Sequence, residues 1–278
     1  MTITNVTARA QTPESKPIND TPLRRFLVLA ALKLRKPFSK RYGGVLFHWG
    51  GICVKCGSLT TLSEASTLQF IAQHTSIPVP RVYCSFRHKG WTYIVMERIP
   101  GEMVGRGWVS RTVASKAKIH SQLQGMVAEM RKLTPTTPMV SNVDGGVLFD
   151  GRIHGPMQFG PFESIQKFHY YLRGGVEAHA ENPDGVNELI AWQDGPWDAP
   201  VFTHGDLSSL NILARGDKIA GIIDWETAGW YPAYWEYTTA MQTNPQNLFW
   251  KDEIDSFLDP MPMEQAMEKV RQRYFGDF

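Results

Sequence analysis

The sequence predicts an α+β protein in which a small antiparallel sheet precedes a larger, mainly helical part. Between residues 45 and 97, short apolar runs are separated by glycine pairs and polar turns, which is typical of strands. After Ile99, Pro100 and Gly101, apolar residues instead recur at helical spacing. The third observation is a predicted hairpin, near residue 215, that has an Asn at one end and an Asp at the other.

The first part of the chain is predicted to hold the sheet and two helices. Residues 1–20 are rich in Thr, Pro, Asn and Ser, which is typical of a mobile tail. The predicted helices are Pro22 to about Lys36 and Thr61–His74, and the predicted strands are Val45–Trp49, Ile52–Cys56, Arg81–Phe86 and Trp91–Met96.

Two apolar stripes in the second part predict helices buried on one side. The first consists of Ile119, Leu123, Met126, Met130 and Leu133, and the second of Phe162, Ile165, Phe168 and Leu172. Residues 134–152, rich in Gly and Pro, are predicted to form a long loop, and Met261–Tyr274 to form a closing helix.

Composition narrows the class of protein. The 278 residues carry a net charge of +2 and are 42% hydrophobic, enough for a sizeable core. Three cysteines do not make a disulfide framework, and Cys53 and Cys56, three apart in a predicted strand, should point to opposite faces. The apolar stretch Phe26–Leu34 is too short to span a bilayer. We therefore expect a cytoplasmic protein with neither a membrane nor a nucleic acid as its partner.

The segment from Val201 to Glu226 carries the chemistry. Asp206 and Asn211 lie in a His-x-Asp-x-x-x-x-Asn pattern, the form of the kinase catalytic loop, in which the Asp is the base or orients a hydroxyl. Two apolar runs around a tight turn predict a hairpin between Asn211 and Asp224. Because a hairpin returns the chain to its start, Asn211 and Asp224 should lie side by side and offer oxygen ligands to Mg²⁺.

Several motifs resemble the aminoglycoside-phosphotransferase and choline-kinase-like family, most closely its fungal members. They are HGDLSSLNIL, DWE, AGWYPAYWEY, TSIPVPRVY, YIVMERIPG and GPFESIQKFHYYL, and the resemblance as a whole covers roughly residues 45–240. The resemblance implies a protein-kinase-like bilobal fold with an N-lobe over residues 21–99 and a C-lobe over residues 100–278. It also implies transfer of a γ-phosphoryl group from ATP or GTP to a hydroxyl of a small molecule. One variant of this hypothesis is a pathway-specific kinase of secondary metabolism rather than a drug-resistance enzyme.

The resemblance also implies roles for individual residues. Lys55 would bind the α- and β-phosphates, and the hinge backbone from Glu97 to Ile99 would bind the adenine edge. Glu64 would position Lys55, although Thr61-x-x-Glu64 is equally a helix-capping sequence. His204 would brace the catalytic loop.

The chain departs from the wider kinase pattern at its glycines. It has no G-x-G-x-x-G; instead Gly43–Gly44 and Gly50–Gly51 flank the run VLFHW. Either pair would let the backbone approach phosphate oxygens, but the second pair is equally a two-residue hairpin turn. This departure keeps open an alternative, a pseudokinase or repurposed kinase-fold protein that binds a small molecule or partner without phosphoryl transfer.

Aromatic residues directly after Asp224 bear on the acceptor. No Ala-Pro-Glu peptide platform follows, and the aromatic residues up to Tyr237 could instead wall a small-molecule pocket or pack the hairpin onto helices. Among them, Trp230 is expected to be exposed. Residues 225–278 hold nine acids against four bases, so the expected acceptor is a hydroxylated compound that is cationic or aromatic.

Overall fold

The computed structural model describes residues 12–35, 41–42, 45–47, 50–242 and 245–276. In chain order, its elements are α1 (Pro22–Arg35), β1 (Arg41–Tyr42), β2 (Val45–Phe47), β3 (Ile52–Gly57), α2 (Leu62–His74), β4 (Val82–His88), β5 (Trp91–Glu97), β6 (Glu102–Met103), α3 (Val113–Lys132), β7 (Leu148–Phe149), β8 (Gln158–Phe159), α4 (Ile165–Leu172), α5 (Val186–Gln193), β9 (Val201–Thr203), β10 (Ile212–Arg215), β11 (Lys218–Ile222), β12 (Gly229–Tyr231), α6 (Trp235–Ala240), α7 (Lys251–Ile254) and α8 (Pro262–Phe275).

Strands β1 to β5 form one antiparallel sheet in the order β1-β2-β3-β5-β4, which confirms the predicted small antiparallel sheet and adds the short strand β1 to it. Helix α2 packs on one face through Ala65, Leu68 and Ile71, and α1 packs on the other face. Cys53 belongs to the α2 side and Cys56 to the α1 side, which confirms that the two thiols point to opposite faces. The side of the sheet that carries Cys53 also carries the side chain of Lys55, two residues further along the strand.

The segment before α1 contacts this sheet. The amide of Ile18 donates to the Ser85 carbonyl at 3.1 Å, and the Ser85 amide donates to the Ile18 carbonyl at 2.9 Å. Residues 1–11 lie outside the described part of the chain. The division of the chain at residues 20 and 99 stays a prediction.

The second part is built on α3 and the β10–β11 hairpin. Ile119, Leu123 and Met130 of α3 are buried, which confirms the first predicted stripe. Strand β10 pairs with β11 and also with β6, directly after the hinge, so the hairpin is joined to the chain that enters this part. The second stripe is likewise buried on α4, with Phe162 lying just before the helix.

Residues 134–152 contain more structure than the predicted long loop. Strand β7 pairs with β8, Val140 pairs with Phe162, and Ser141 pairs with Trp230. These short pairings join residues that are distant in the chain, so no local pattern in the sequence indicates them. The pairing of Ser141 with Trp230 holds the loop against the segment that follows Asp224. Within the described ranges, no helix has both the length and the apolar character needed to cross a membrane.

Candidate active site

The β10–β11 hairpin brings Asn211 and Asp224 together, as predicted. Ile212 pairs with Ile222, and the Ile223 amide donates to the Asn211 carbonyl at 2.9 Å, so the two ends of the hairpin are tied together. Asp224 adopts a left-handed backbone conformation, with φ 65° and ψ 59°. This turn ends the strand and directs the following residues back toward the catalytic loop.

His204 braces the loop between β9 and β10. Its Nε2 lies 3.1 Å from the Ile223 carbonyl, and its Nδ1 accepts the Asp206 amide at 3.1 Å. The ring is buried and packs against Trp225, with ring centroids 4.4 Å apart. Because Nδ1 accepts, the proton of a neutral ring sits on Nε2 and is donated to the hairpin. His204 therefore has the predicted scaffold position.

A buried carboxylate supports the same loop and was missed in the sequence. Glu236 on α6 accepts the amide of His204 at 2.6 Å and the amide of Gly205 at 3.1 Å. Only glycine fits well at position 205. Its φ is +80°, and the Cβ of any other residue would lie 3.0 Å from the Thr227 carbonyl oxygen. A Glu within AGWYPAYWEY carries no local signal that its carboxylate reaches a loop more than thirty residues earlier.

Asp206 presents its carboxylate at the edge of this loop. Its Oδ2 accepts Asn211 Nδ2 at 2.8 Å, and its backbone carbonyl accepts the same nitrogen at 2.9 Å. Asn211 donates through its nitrogen, so its amide oxygen stays available as an acceptor. The Asp206 side chain is 39% exposed. It is thus held in one orientation while remaining open to a ligand.

Arg152 is a second residue that sequence reasoning missed. Its guanidinium pairs with buried Asp150 through Nε at 2.9 Å and Nη2 at 2.7 Å. The same group donates to the Gly205 carbonyl at 2.5 Å and reaches Asp206 Oδ1 at 3.4 Å. The only available signal was an Asp-x-Arg in a glycine-rich loop, which has no specific meaning by itself. The geometry makes Arg152 a fixed cation beside the Asp206 carboxylate.

Lys55 on β3 lies among three carboxylates. Its Nζ is 3.0 Å from Glu64 Oε1, 2.6 Å from Asp224 Oδ1 and 2.8 Å from Glu226 Oε2. The sequence offered two roles for Glu64, contact with Lys55 or capping of helix α2. The structure shows the contact with Lys55, and Thr61 caps α2 without a side-chain hydrogen bond. Glu226 was not anticipated. The cluster connects the sheet of the first part to the hairpin of the second.

Burial and charge shift the titration of this cluster. Burial alone lowers the pKa of the Lys55 ammonium, but the three carboxylates outweigh burial and hold that pKa above its ordinary value. Burial, reinforced by Asp224 and Glu226, raises the pKa of Glu64 to about 7 against the opposing effect of Lys55. One cation does not balance three carboxylates, so the most buried carboxyl takes up a proton near neutral pH.

This shift predicts a pH-dependent stability. A carboxyl whose folded pKa exceeds its unfolded pKa stabilises the fold fully below the unfolded value, and that contribution is lost as pH rises through the folded value. We expect the unfolding free energy of the wild type to fall, relative to Glu64→Gln, by on the order of 3 kcal/mol between pH 4.5 and pH 8. Urea unfolding across this range measures the difference. Glu188→Gln, at an exposed position of α5, is the control, and parallel curves for wild type and Glu64→Gln would contradict the assignment.

The aromatic residues after Asp224 are buried, which corrects the expectation that they wall a pocket. Trp230 is 5% exposed and packs edge-on against Phe202, with ring centroids 5.1 Å apart. Buried in the same way are Trp225, Tyr231, Tyr234, Trp235 and Tyr237. Residue 230 lies on β12, which pairs with β9 and with Ser141, so the turn-like sequence around it is in fact a strand. The packing alternative is the correct one for this segment.

A comparison with protein-family models decides the family. The model of the phosphotransferase enzyme family (APH) matches residues 58–261. The chain belongs to this phosphotransferase family. No curated protein sequence matches the chain.

Solved structures of aminoglycoside phosphotransferases share the fold of this family member. APH(4)-Ia matches with a TM-score of 0.59 at 15% identity, over 90% of this chain and 88% of that one. Aminoglycoside-3'-phosphotransferase of type VIII matches with a TM-score of 0.54 at 19% identity, over 89% and 97%. A thermostable APH(4)-Ia mutant, D198A in its own numbering and in ternary complex with ADP and hygromycin B, matches with a TM-score of 0.58 at 12% identity, over 87% and 90%. The protein-kinase-like bilobal fold is confirmed.

This member of the family has a donor set that fits Mg²⁺. The ion prefers oxygen ligands and is commonly held by one or two carboxylates together with substrate phosphates. Asn211 offers an amide oxygen, and the Asp224 carboxylate is 39% exposed at the same mouth. Among the described residues, no group of three or more His, Cys, Asp or Glu side chains is arranged to hold a metal ion by itself.

Two of the three amides of the hinge are hydrogen-bonded to backbone carbonyls. The amides of Glu97 and Arg98 donate to the carbonyls of Arg81 and Gly51. The Ile99 amide has no backbone partner among the described residues, and the Ile99 side chain lies directly over Gly221 of β11. Among the predicted hinge residues, Ile99 is therefore the one that offers its amide.

Of the two glycine pairs noted in the sequence, the structure describes one. Gly50 and Gly51, with φ of 77° and 78°, lie on the connection between β2 and β3, as predicted for a hairpin turn. Gly43–Gly44 lie outside the described residues.

Proposed function

We propose that this protein transfers the γ-phosphoryl group of ATP or GTP to a hydroxyl of a small molecule, with Mg²⁺. One observation carries the proposal: the predicted groups converge at one mouth between the two lobes. Lys55 contacts both Glu64 and Asp224, Asp224 adjoins Asn211 across the hairpin, and Asn211 holds Asp206. Such a set of groups matches the parts that phosphoryl transfer requires.

On the nucleotide side, the residues would bind the base and neutralise the charge of the phosphates. The Ile99 amide would donate to the base, and Lys55, oriented by Glu64, would contact the α- and β-phosphates. Asn211 and Asp224 would hold Mg²⁺, which supplies charge neutralisation for the phosphates when bound. Glu226 touches the same ammonium as Asp224 and would keep Lys55 in place when Asp224 turns to a metal.

On the acceptor side, Asp206 would orient and deprotonate the hydroxyl. Its carboxylate takes the hydroxyl proton, the hydroxyl oxygen forms a bond to the γ-phosphorus, and the bond from that phosphorus to the bridging oxygen breaks. The nucleoside diphosphate leaves. The hydrogen bond from Asn211 keeps the carboxylate in position, and its partial exposure gives an acceptor room to approach.

Two observations bear on the identity of the acceptor. APH(4)-Ia has been crystallised with hygromycin B, a small molecule, and we propose a small hydroxylated acceptor here as well. The excess of acidic residues near the C-terminus supports a cationic acceptor, whereas the aromatic side chains after Asp224 are buried and do not contribute. A cytoplasmic location, a role in secondary metabolism and a place among fungal or choline-kinase-like members remain part of the proposal.

A two-stage experiment tests the function. Thermal shifts with ATP and GTP, with and without Mg²⁺, should show stabilisation that depends on the metal. Incubation with nucleotide, Mg²⁺ and a library of hydroxylated metabolites should then yield a product heavier by one phosphate. Nucleotide binding without transfer to any metabolite, or no nucleotide binding at all, would favour the pseudokinase alternative.

Arg152 provides a test of how Asp206 is positioned. The double variant Asp150→Asn/Arg152→Gln exchanges the ion pair for an amide pair and leaves no buried charge unpaired. We expect kcat to fall about 10- to 100-fold, since small misplacements of a catalytic group cost this much, while the KM for nucleotide stays unchanged. Steady-state kinetics measure both constants, and Arg106→Gln is the control. A rise in the nucleotide KM at constant kcat would contradict a positioning role.

A further inference from the structure

Helix α1 carries apolar residues on two opposite faces. Its inner face packs on the sheet through Val28, Leu29 and Leu32, together with the sheet residues Phe86 and Val95. The outer face is open to solvent, and its large apolar residues are Leu23, Phe26, Leu27 and Leu34, of which Phe26 is 67% and Leu34 78% exposed. The helix is well defined at its start, where the Arg24 amide donates to Thr21 Oγ1 at 3.2 Å. Its outer face is therefore an ordered apolar surface.

The outer residues form one continuous stripe. Residues 23, 26, 27, 30, 31 and 34 are all Leu, Phe or Ala and follow the spacing i, i+3, i+4, i+7, i+8 and i+11. The stripe runs along about 17 Å of the helix at 1.5 Å per residue. Apolar patches of this kind on a protein surface mark interaction sites.

Cations line the stripe on both sides. At 100° per residue, Arg24 lies on one flank and Lys33 on the other, and both are exposed. Residues 21–41 as a whole contain seven Lys or Arg and no Asp or Glu. A second copy of this chain would bring like charges together along the stripe, so charge disfavours self-association. The complementary surface is apolar and anionic.

We propose that the outer face of α1 lies on an anionic lipid surface. Leu and Phe on one face of a helix with flanking Lys and Arg are the features of helices that bind in the membrane interface, and basic clusters on such helices recognise anionic headgroups. The contact is peripheral, and it changes the expectation of no membrane partner. Lys55 and α2 lie on the other face of the sheet, so the candidate active site stays open. This inference does not depend on the proposed phosphotransferase activity.

Vesicle flotation tests the proposal. The full chain is mixed at low salt with vesicles of phosphatidylcholine alone, or of phosphatidylcholine with phosphatidylserine. We expect retention on the anionic vesicles only, and loss of retention at high salt. Arg24→Gln/Lys33→Gln should lower the partition coefficient about 25-fold, since each cation contributes roughly fivefold. Phe26→Ser/Leu34→Ser should lower it at least about tenfold.

Matched control variants show whether retention depends on α1 or on any exposed apolar residue or cation. Val113→Ser removes an exposed apolar residue on α3, and Lys218→Gln removes an exposed cation on β11; neither should change retention. Thermal unfolding of each variant verifies the fold. No retention of the wild type on anionic vesicles would overturn the proposal in favour of an acidic protein partner. Retention that the α1 variants leave unchanged would overturn it too, as would a dimer in sedimentation velocity that Phe26→Ser/Leu34→Ser abolishes.

Discussion

Replacement of Asp206 by Asn is expected to lower kcat by about 10² to 10⁴, the range for a positioned general base, while nucleotide affinity is unchanged. Asn keeps the shape of the side chain and can still accept the hydrogen bond from Asn211, so the loop held by His204 and Glu236 stays in place. Only the ability to take a proton is lost. The test is steady-state turnover with the acceptor identified by the metabolite screen, together with nucleotide thermal shifts.

Asp184→Asn, in an exposed loop before α5, is the matched control for this variant. It should keep both turnover and nucleotide binding. If Asp206→Asn lost nucleotide binding and kept turnover in proportion to the bound fraction, Asp206 would be a nucleotide ligand. The division of roles between Asp206 and Asp224 would then be wrong.

Replacement of Asp224 by Asn should abolish the Mg²⁺-dependent stabilisation by nucleotide. A bound ligand at about 100 times its dissociation constant stabilises a protein by about 2.7 kcal/mol, and we expect this stabilisation to disappear. The reason is charge: an amide oxygen is a poor substitute for a carboxylate at a divalent ion. The fold should persist, because Asn tolerates the left-handed backbone of this position and Lys55 keeps its contacts with Glu64 and Glu226.

Thermal shifts of the two variants side by side give the sharpest comparison. Asp206→Asn should retain the stabilisation by nucleotide with Mg²⁺, and Asp224→Asn should lose it. Equal stabilisation of wild type and Asp224→Asn would remove Asp224 from the metal site. Loss of stabilisation in both variants would mean that the two carboxylates share one task.

The local parts of the site could be predicted from the sequence. The hairpin between Asn211 and Asp224 follows from two apolar runs around a turn, and a hairpin brings its own ends together whatever surrounds it. The contact between His204 and Asp206 is also local, because the two residues are only two positions apart in the chain. Helices α1 to α4 and strands β2 to β5 were predicted because each carries a local pattern of apolar and turn residues, whereas the short strand β1 was not predicted.

Contacts between distant segments could not be predicted in this way. Glu226 reaches Lys55 across 171 positions, and Arg152 reaches Asp206 across 54. No periodicity relates such residues, and each contact exists only because several elements pack in one arrangement. Resemblance to a family proposed Glu64 as a partner of Lys55, but the choice between that role and a helix cap needed the orientation of one side chain.

By itself, the sequence determined the phosphotransferase motif, the order of the two lobes and the residues at the hairpin ends, because spacing along the chain sets local geometry. The tertiary structure decided which side chains are buried. It packed Trp230 against Phe70 and Phe202 rather than in a pocket, and it left Phe26 and Leu34 of α1 facing solvent. All three side chains are large and apolar, yet only Trp230 is buried. Burial depends on what packs against a residue, and only the assembled fold supplies those neighbours.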